Sequence, residues 1–287
     1  MTERKPPVFV LLDLDDTRLD FHQAEANAVS KTLAQLGIEP KESTIRRYSQ
    51  INAGRWELLE QGLITREEVL TSRFEMLFGE LGVEGSGTQA QKIYEGLLGQ
   101  GHWFMPGAEE LLEELYGKYP LYIVSNGNLS VQDGRIASAG IARYFEEFFI
   151  SQKIGFDKPR KEFFDACFAR IPGFDRQRSI IVGDSLTSDI RGGINAGIKT
   201  CWYNPRGKAA RADIRPDYCI TALHELPGLL SRIFRSRTLT VSMQNLCKVY
   251  RYAFLKSGAI IDETTRGAAD NGHPEFLSGD GGYGHLF

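Results

Sequence analysis

Four short runs of consecutive apolar residues constrain the fold of this chain more than any other feature of its sequence. The runs span residues 8–12, 121–124, 179–182 and 200–203. Apolar residues at consecutive rather than alternate positions are typical of parallel strands that are buried on both faces. Amphipathic segments at residues 108–116 and 162–171 precede the second and third runs. Strands that alternate with helices predict an α/β fold with a doubly wound parallel sheet.

The interval between the first two runs carries helical rather than strand patterns. Amphipathic segments occupy residues 24–36, 42–59, 66–81 and 88–98. Glycines at positions 37 and 62 and a Gly-Ser-Gly cluster at 85–87 separate them. We therefore predict an all-helical insertion at residues 21–101, between core segments at 1–20 and 102–235. Because an open α/β sheet binds its ligand beyond the carboxyl ends of its strands, we interpret the insertion as a mobile cap.

The C-terminal segment, residues 236–287, follows the last elements of the predicted core, a strand at 218–220 and a helix at 223–233. Its first part has a helical apolar stripe from Leu239 to Phe254, and its last part is rich in glycine with few aliphatic residues. We expect a partly disordered extension of unknown role. A regulatory tail and a non-native extension are both compatible with this composition.

Charge and cysteine content exclude several classes of partner. The 34 lysines and arginines nearly balance the 37 aspartates and glutamates, so the net charge of −3 provides no basic surface for polymeric nucleic acid or an anionic membrane. No stretch approaches the roughly 18 apolar residues of a membrane span, and the first run is too short for a signal-peptide core. The four cysteines form no CxxC pair, which argues against a zinc finger or disulfide scaffold. We expect a cytoplasmic protein.

Carboxylates follow two of the predicted strands. Asp13 and Asp15 come directly after the first run and, at positions i and i+2, share one face. Asp184 follows the third run, and Asp189 lies five residues later, where the start of a helix would also account for it. An Asp-rich turn is the structural alternative for the first pair. Because neighbouring strands lie about 4.8 Å apart, Asp13 and Asp184 are predicted to hold one hard cation such as Mg²⁺.

Polar groups suited to an anion occupy two further loops. Ser125, Asn126 and Gly127 follow the second run, and their hydroxyl, amide and backbone N–H groups can surround an anion. Lys158 precedes Pro159 and offers the compact positive charge that a phosphoryl group requires. Each motif alone is typical of a surface turn, but their order along the chain favours phosphate binding.

Together these motifs resemble those of the haloacid dehalogenase (HAD) superfamily. The series is Asp13-x-Asp15-x-Thr17, then Ser125-Asn-Gly, Lys158-Pro and Gly-Asp184-Ser-x-x-x-Asp189, with a helical insertion after the first motif. The resemblance covers roughly residues 8–233 and implies a Rossmann-like core with a cap of the C1 type. Segments 52–56, 62–65, 73–75, 192–197 and 200–204 are similar to those of house-cleaning pyrimidine 5′-nucleotidases.

The resemblance implies a role for each motif residue. Asp13 would be the nucleophile that forms an aspartyl-phosphate, and Asp15 the general acid and then the general base. Mg²⁺ would be held by Asp13, the backbone carbonyl of Asp15 and Asp184, with Asp189 bound to it directly or indirectly. The phosphoryl oxygens would be bound by Ser125, the backbone of Asn126 and Lys158.

The expected activity is Mg²⁺-dependent hydrolysis of a small phosphomonoester, most specifically a pyrimidine nucleoside monophosphate, including modified ones. A sugar-phosphate or phosphoglycolate phosphatase would share every core residue. A phospho-accepting signalling module is a further alternative, but the acid at Asp15 and the size of the insertion argue against it. A non-catalytic binding protein would usually lack a motif residue, and none is missing here. The sequence leaves the oligomeric state open.

Substrate selection is expected from the cap and its linkers. Phe21, His22, Asn52 and Trp56 are the candidates, because an aromatic side chain there could stack on a pyrimidine. Trp56 at helical spacing is equally typical of a packed core, and His22 of a solvated helix start with no evident partner. Arg18 stands where the family usually has an apolar residue, and we expect its charge to face the entrance or the solvent.

Overall fold

The computed structural model of this chain describes residues 7–234, in which six strands form a single parallel sheet. The strands are β1 (Phe9–Leu12), β2 (Leu121–Ser125), β3 (Glu147–Ile150), β4 (Ser179–Gly183), β5 (Lys199–Tyr203) and β6 (Tyr218–Ile220). Their order across the sheet is β3-β2-β1-β4-β5-β6. The predicted α/β class with a doubly wound parallel sheet is confirmed. The predictions for residues 236–287 fall outside the described residues.

Ten α-helices surround or extend this sheet within residues 7–234. They are α1 (Phe21–Gln35), α2 (Glu42–Glu60), α3 (Arg66–Leu81), α4 (Gly87–Leu98), α5 (Ala108–Leu115), α6 (Leu129–Ala139), α7 (Ser151–Ile154), α8 (Lys161–Phe168), α9 (Arg191–Ala196) and α10 (Leu226–Ile233). A π-helical turn at Leu186–Ile190 precedes α9. None of these helices has the length and apolar character needed to cross a bilayer.

The central strand β1 positions the candidate site. It pairs with β2 on one side and β4 on the other, with Leu12 opposite Ile123 and Val182. Leu12 is fully buried, as expected for a strand covered on both faces. Because all three strands are parallel and in register, the polar residues that follow them meet at one edge of the sheet.

The strand β3 and the helix α6 are among the elements that were not predicted from the sequence. β3 is one of the two edge strands and begins with the partly buried Glu147, so its residues lack a continuous apolar run. The buried face of α6 includes Gln132 and Arg135 beside Val131 and Ile136, which breaks the apolar periodicity of an amphipathic helix. Both elements flank the candidate site.

Helices α1–α4, here called the cap helices, pack around an apolar cluster of their own. Its centre contains Tyr48, Phe74 and Tyr94, all fully buried. The ends of this insertion lie side by side: the Met105 N–H donates to the carbonyl of Arg18 over 2.9 Å, close to the start of α1. The boundary between core and cap remains a prediction, and it coincides with this paired linker.

Candidate active site

Asp13 and Lys158 form a buried ion pair at the carboxyl end of β1. Asp13 is 6% exposed and Lys158, which precedes α8, is 1% exposed. Nζ of Lys158 donates over 2.7 Å to Oδ1 of Asp13, to Oδ1 of Asp189 and to the carbonyl of Val124. These contacts use all three N–H bonds of the ammonium group. Lys158 is therefore fixed between two carboxylates that lie far apart in the sequence.

Burial and repulsion shift the titration of this cluster. Burial opposes the charge of Lys158, but the carboxylates of Asp13 and Asp189 outweigh that effect and raise the pKa of the ammonium group. Burial also raises the pKa of Asp13 well above the usual 3.8, the charge of Asp189 raises it further, and Lys158 offsets only part of the rise. Burial and the repulsion between Asp13 and Asp189 both disfavour the charged carboxylates, and a cation bound beside them would favour the charged forms.

Asp184 lies beside Asp13 because β4 and β1 are neighbours in the sheet. The hydroxyl of Thr17 links the two loops: it donates to Oδ2 of Asp13 over 3.3 Å and accepts from the N–H of Asp184 over 3.1 Å. Burial raises the pKa of Asp184 to about 6. Lys208, whose Nζ lies 2.9 Å from Oδ2 of Asp184, acts in the opposite direction.

Oxygens of Asp13, Asp184 and Asp189 lie within 4.8 Å of one another. Carboxylates that converge from two strand ends form the oxygen donor set that Mg²⁺ prefers. A helix start alone does not account for Asp189, because this residue is fully buried and both its oxygens are engaged: Oδ1 accepts from Lys158 and Oδ2 from the N–H of Ser185. The residues present therefore fit a hard divalent cation.

Asp15 lies next to this cluster and contacts the unpredicted helix α6. Its Oδ2 accepts from Nε2 of Gln132 over 2.7 Å, and its Oδ1 lies 3.2 Å from Nη2 of Arg135. Gln132 also donates to Oγ of Ser125 over 2.8 Å. The candidate acid and the candidate phosphate ligand thus share one partner.

Asn126 positions the backbone around Lys158. Its side-chain amide donates to the carbonyl of Lys158 and accepts from the N–H of Lys158, both over 2.8 Å. This reciprocal pair ties the loop after β2 to the loop before α8. The side-chain amide of Asn126, expected to help surround an anion, is instead bonded to the backbone of Lys158 and orients that residue.

A cavity of about 180 Å³ lies between the cap helices and the core, beside Asp15. Phe21 and Trp56 contribute aromatic walls, and Asn128 and Glu95 contribute polar groups. The Asn128 amide donates to Oε1 of Glu95 over 2.5 Å, which joins core and cap at the cavity wall. A group bonded to a phosphate at Asp13 would extend into this space.

Arg66, the first residue of α3, connects the cap helices to the core. It forms an ion pair with Asp157 and donates to Oγ of Ser151 over 2.6 Å. Its guanidinium carbon lies 5.4 Å from the centre of the Trp56 ring. The same residue therefore holds the cap against the core and supports one wall of the cavity.

Two of the four candidate selectivity residues lie away from this cavity. Asn52 is 3% exposed inside the cap, where its amide donates to Glu25 over 2.6 Å and accepts from Arg73 over 2.6 Å. Asn52 therefore does not line the cavity, contrary to its expected part in substrate selection, because it bridges a buried acid and a buried base. His22 does not line the cavity either, and it has a partner: its Nε2 lies 3.1 Å from Oδ2 of Asp16.

The expectation for Arg18 is also wrong. Its side chain faces neither the entrance nor the solvent but is fully buried. Nη1 donates to the carbonyl of Thr17 over 3.0 Å, while Nε and Nη2 have no hydrogen-bond partner among residues 7–234. Burial lowers the pKa of Arg18 to about 10. The sequence reading failed because it assumed that a charged side chain remains solvated.

Several residues at the site were not identified from the sequence. One feature of the sequence could have identified Gln132 and Arg135: they are three positions apart, as on one face of a helix, in a segment that follows Ser-Asn-Gly. No feature of the sequence indicates the roles of Lys208 and Arg66. The contact of Lys208 with Asp184 and that of Arg66 with the core form only when distant segments fold together. Thr17 was part of the first motif, but its bridge between two loops was not foreseen.

Comparison with known proteins identifies the family. The model of the haloacid dehalogenase-like hydrolase family matches residues 10–203. HAD-hydrolase YfnB of Bacillus subtilis is 40% identical over 222 residues, which are 77% of this chain and 94% of YfnB. Pyrimidine 5′-nucleotidase PynA of Streptococcus pneumoniae is 35% identical over 225 residues, 78% of this chain and 95% of PynA.

Solved structures agree with this result. A crystal structure of YfnB bound to magnesium matches with a TM-score of 0.76 and covers 79% of this chain and 99% of that chain. The L-2-haloacid dehalogenase of Xanthobacter autotrophicus, 18% identical, matches with a TM-score of 0.63 over 78% of this chain and 98% of its own, and it shows a shared fold. This chain therefore belongs to the haloacid dehalogenase-like hydrolase family.

Proposed function

We propose that this protein is a phosphomonoester hydrolase whose substrates are pyrimidine nucleoside 5′-monophosphates, including modified ones. The observation that carries the proposal is the arrangement of Asp13, Lys158 and Asp15 beside a cavity with aromatic walls. PynA, and YjjG of Escherichia coli at 29% identity over 224 residues, 78% of this chain and 98% of YjjG, are both named pyrimidine 5′-nucleotidases, which supports the substrate class.

The proposed reaction has two steps. In the first, a carboxylate oxygen of Asp13 attacks phosphorus, the bond between phosphorus and the ester oxygen breaks, and Asp15 gives its proton to the leaving alcohol. In the second, Asp15 takes a proton from water while the water oxygen bonds to phosphorus. The bond between phosphorus and Asp13 then breaks, which releases inorganic phosphate and restores both carboxyl groups.

Lys158 has two parts in this scheme. Its ammonium group holds Asp13 in place over 2.7 Å and keeps a positive charge where the phosphoryl group must approach a carboxylate. Since its three N–H bonds already have acceptors, a phosphoryl oxygen would replace one of them. Ser125 and the backbone of Asn126 are the proposed further ligands of the phosphoryl oxygens.

The carboxylates of Asp13, Asp184 and Asp189, with the backbone carbonyl of Asp15, are the proposed ligands of Mg²⁺. The oxygens of the three carboxylates converge within 4.8 Å. Burial raises the pKa values of Asp13 and Asp184, and the negative charge of Asp189 raises both further. When bound, the ion supplies charge that offsets the repulsion between the Asp13 carboxylate and an anionic phosphate.

The cap helices are proposed to select the leaving group. Phe21 and Trp56 offer faces for a planar ring, and the Asn128–Glu95 pair offers polar groups at the same cavity. A pyrimidine could stack on an aromatic wall and exchange hydrogen bonds with this pair. The proposed phosphoryl ligands Ser125, Asn126 and Lys158 contact only the phosphoryl group in this scheme and would not distinguish one alcohol from another.

Steady-state kinetics with Mg²⁺ on a panel of phosphomonoesters tests the proposal. The panel contains uridine and thymidine monophosphates, fluorinated and oxidised pyrimidine nucleotides, purine nucleotides, sugar phosphates and phosphoglycolate. We expect the highest kcat/KM values for pyrimidine nucleotides. Higher values for sugar phosphates or phosphoglycolate would contradict the substrate class, and the absence of hydrolysis across the panel would contradict the activity.

A further inference from the structure

Two buried side chains of α6 approach both oxygens of Asp15. Nε2 of Gln132 donates to Oδ2 over 2.7 Å, and Nη2 of Arg135 lies 3.2 Å from Oδ1. The two residues are three positions apart, so they lie on one face of the helix. Neither belongs to the motifs that led to the proposed function.

Among residues 7–234, Asp15 is the carboxylate that forms an ion pair with Arg135. Arg135 is fully buried, and a buried guanidinium group destabilises the fold unless an anion compensates it. Asp15 forms an ion pair with it, and within the described part of the chain its guanidinium nitrogens have no hydrogen bond. The ring of Phe21 lies 5.8 Å from the guanidinium carbon and covers one side of it. Asp15 is therefore the anion that faces this buried guanidinium group.

Gln132 connects Asp15 to the phosphate-binding loop. It is 2% exposed, and its amide donates one N–H to Asp15 and the other to Oγ of Ser125 over 2.8 Å. Both N–H bonds of the amide are therefore used. A shift of the Asp15 carboxyl group relative to Ser125 would break one of these bonds, so Gln132 fixes the distance between the two groups.

We propose that Gln132 and Arg135 are positioning residues that orient the Asp15 carboxyl group for its two proton transfers. The inference rests on the proposed function, in which Asp15 protonates the leaving alcohol and then deprotonates water. Gln132 holds Oδ2 by a hydrogen bond, and Arg135 attracts Oδ1 as an ion pair without one, so the carboxyl group is held at both oxygens while the lone pairs of Oδ1 stay available for the transferred proton. Without these contacts the group could rotate, and misplaced catalytic groups lose rate steeply.

The dependence of kcat/KM on the leaving group distinguishes a positioning role from a merely structural one. A nucleoside alkoxide needs a proton as it leaves, whereas nitrophenolate leaves without one. We therefore compare uridine 5′-monophosphate with p-nitrophenyl phosphate in the wild-type protein and in Arg135→Met and Gln132→Leu. The value of kcat/KM depends only on the steps up to phosphoryl transfer, so it reports Asp15 as the general acid. A burst of nitrophenol shows that hydrolysis of the aspartyl-phosphate has become slow, so it reports Asp15 as the general base.

We expect kcat/KM for the nucleotide to fall by on the order of 10²-fold in Arg135→Met, since general acid catalysis contributes about 10²–10⁴-fold. kcat/KM for p-nitrophenyl phosphate should stay nearly unchanged, and a burst should appear. Arg135→Lys, which keeps the charge, should recover part of the nucleotide activity. Asp133→Asn alters the charge on an exposed position of the same helix and should match wild type. The proposal would be overturned if Arg135→Met lowered kcat/KM equally for both substrates, or if it left kcat/KM for the nucleotide unchanged.

Asp15→Asn separates this proposal from the one on which it rests. If Asp15→Asn shows the selective loss on the nucleotide but Arg135→Met does not, the positioning role is wrong and the proposed mechanism stands. If Asp15→Asn itself affects both substrates equally, the proposed acid role is wrong. Arg135→Met added to Asp15→Asn should cause no further loss, because the two substitutions act through one group. Circular dichroism confirms that each variant is folded.

Discussion

Nζ of Lys158 lies 2.7 Å from Oδ1 of Asp13, in an ion pair that joins residues 145 positions apart in the sequence. This contact brings the candidate nucleophile and a buried positive charge to the same point at the end of β1. Asp189 binds the same ammonium group, so Lys158 retains a carboxylate partner when Asp13 is replaced.

Asp13→Asn should abolish phosphatase activity while the fold survives. The amide has the size of the carboxylate but cannot attack phosphorus, and loss of a nucleophile lowers turnover by on the order of 10⁴-fold or more. Steady-state kinetics on the substrate panel measures the loss, and circular dichroism with thermal unfolding checks the fold. Turnover near the wild-type rate would refute the proposed mechanism.

Removal of divalent cations should eliminate turnover. Exhaustive chelation would leave Asp13, Asp184 and Asp189 short of positive charge, and activity should return with Mg²⁺ but not with sodium at equal ionic strength. Binding also has a readout independent of activity, because Mg²⁺ should raise the Tm of the wild type more than that of Asp184→Asn. Undiminished activity after chelation would exclude a role for the ion.

Asn52→Ala should destabilise the protein without changing its substrate preference. The substitution leaves Glu25 and Arg73 buried without the amide that joins them, and unsatisfied buried groups cost about 1–3 kcal/mol each. We expect a Tm lower by several degrees and an unchanged ratio of kcat/KM between uridine 5′-monophosphate and a sugar phosphate. Trp56→Ala, at the cavity wall, is the matched comparison and should reduce that ratio. If Asn52→Ala also reduced this ratio of kcat/KM values, the purely structural role of Asn52 would be wrong.

Arg18→Met should stabilise the protein. Arg18 is fully buried with two nitrogens unpartnered among the described residues, and an apolar side chain of similar length removes the cost of burying these unsatisfied donors. Denaturant unfolding measures the change, and Arg18→Lys, which retains the charge, should show no gain. A free energy of unfolding below the wild-type value in Arg18→Met would contradict this account of the site.

Glu225 should contribute stability that depends on pH. Its Oε1 accepts from the N–H groups of Ala222 and Thr221 and from the Thr221 hydroxyl, and these bonds lower the pKa of Glu225 below the usual 4.5. The unfolded chain therefore binds the proton more tightly, so the contribution is present above pH 4.5 and is lost as the pH falls through the lowered pKa. Glu225→Gln should lower the Tm at neutral pH. A difference that does not shrink in acid would be inconsistent with this linkage.

The sheet and the cluster of Asp13, Asp184 and Lys158 were predictable because they follow from rules that act over short stretches of sequence. A buried parallel strand has a continuous apolar run, and its carboxyl end faces the ligand. The position of Asp184 beside Asp13 required only that the two strands be neighbours, and the sheet order confirms this. The roles of these residues in catalysis remain predictions.

Other features depend on long-range packing that no local pattern encodes. The spacing of Arg135 and Gln132 places them on one helix face, but their contact with Asp15 depends on how α6 packs, and a buried arginine contradicts the usual solvation of charge. Arg66 meets Asp157, 91 positions away, through contact between separate groups of helices. Asn52 was misplaced for the opposite reason: its polarity predicts a surface position, but its two hydrogen-bond partners are also buried.

The paired linker between core and cap has an evolutionary consequence. The Asp20 N–H donates to the carbonyl of Trp103 over 2.7 Å, so the chain leaves and re-enters the core at the same place. An insertion whose ends already touch adds little loop-closure entropy, and that entropy grows only slowly with the number of inserted residues. Recombination could therefore exchange, enlarge or delete the inserted helices without altering the register of β1. New substrate ranges could then arise by replacement of one continuous gene segment, while the residues around Asp13 stayed the same.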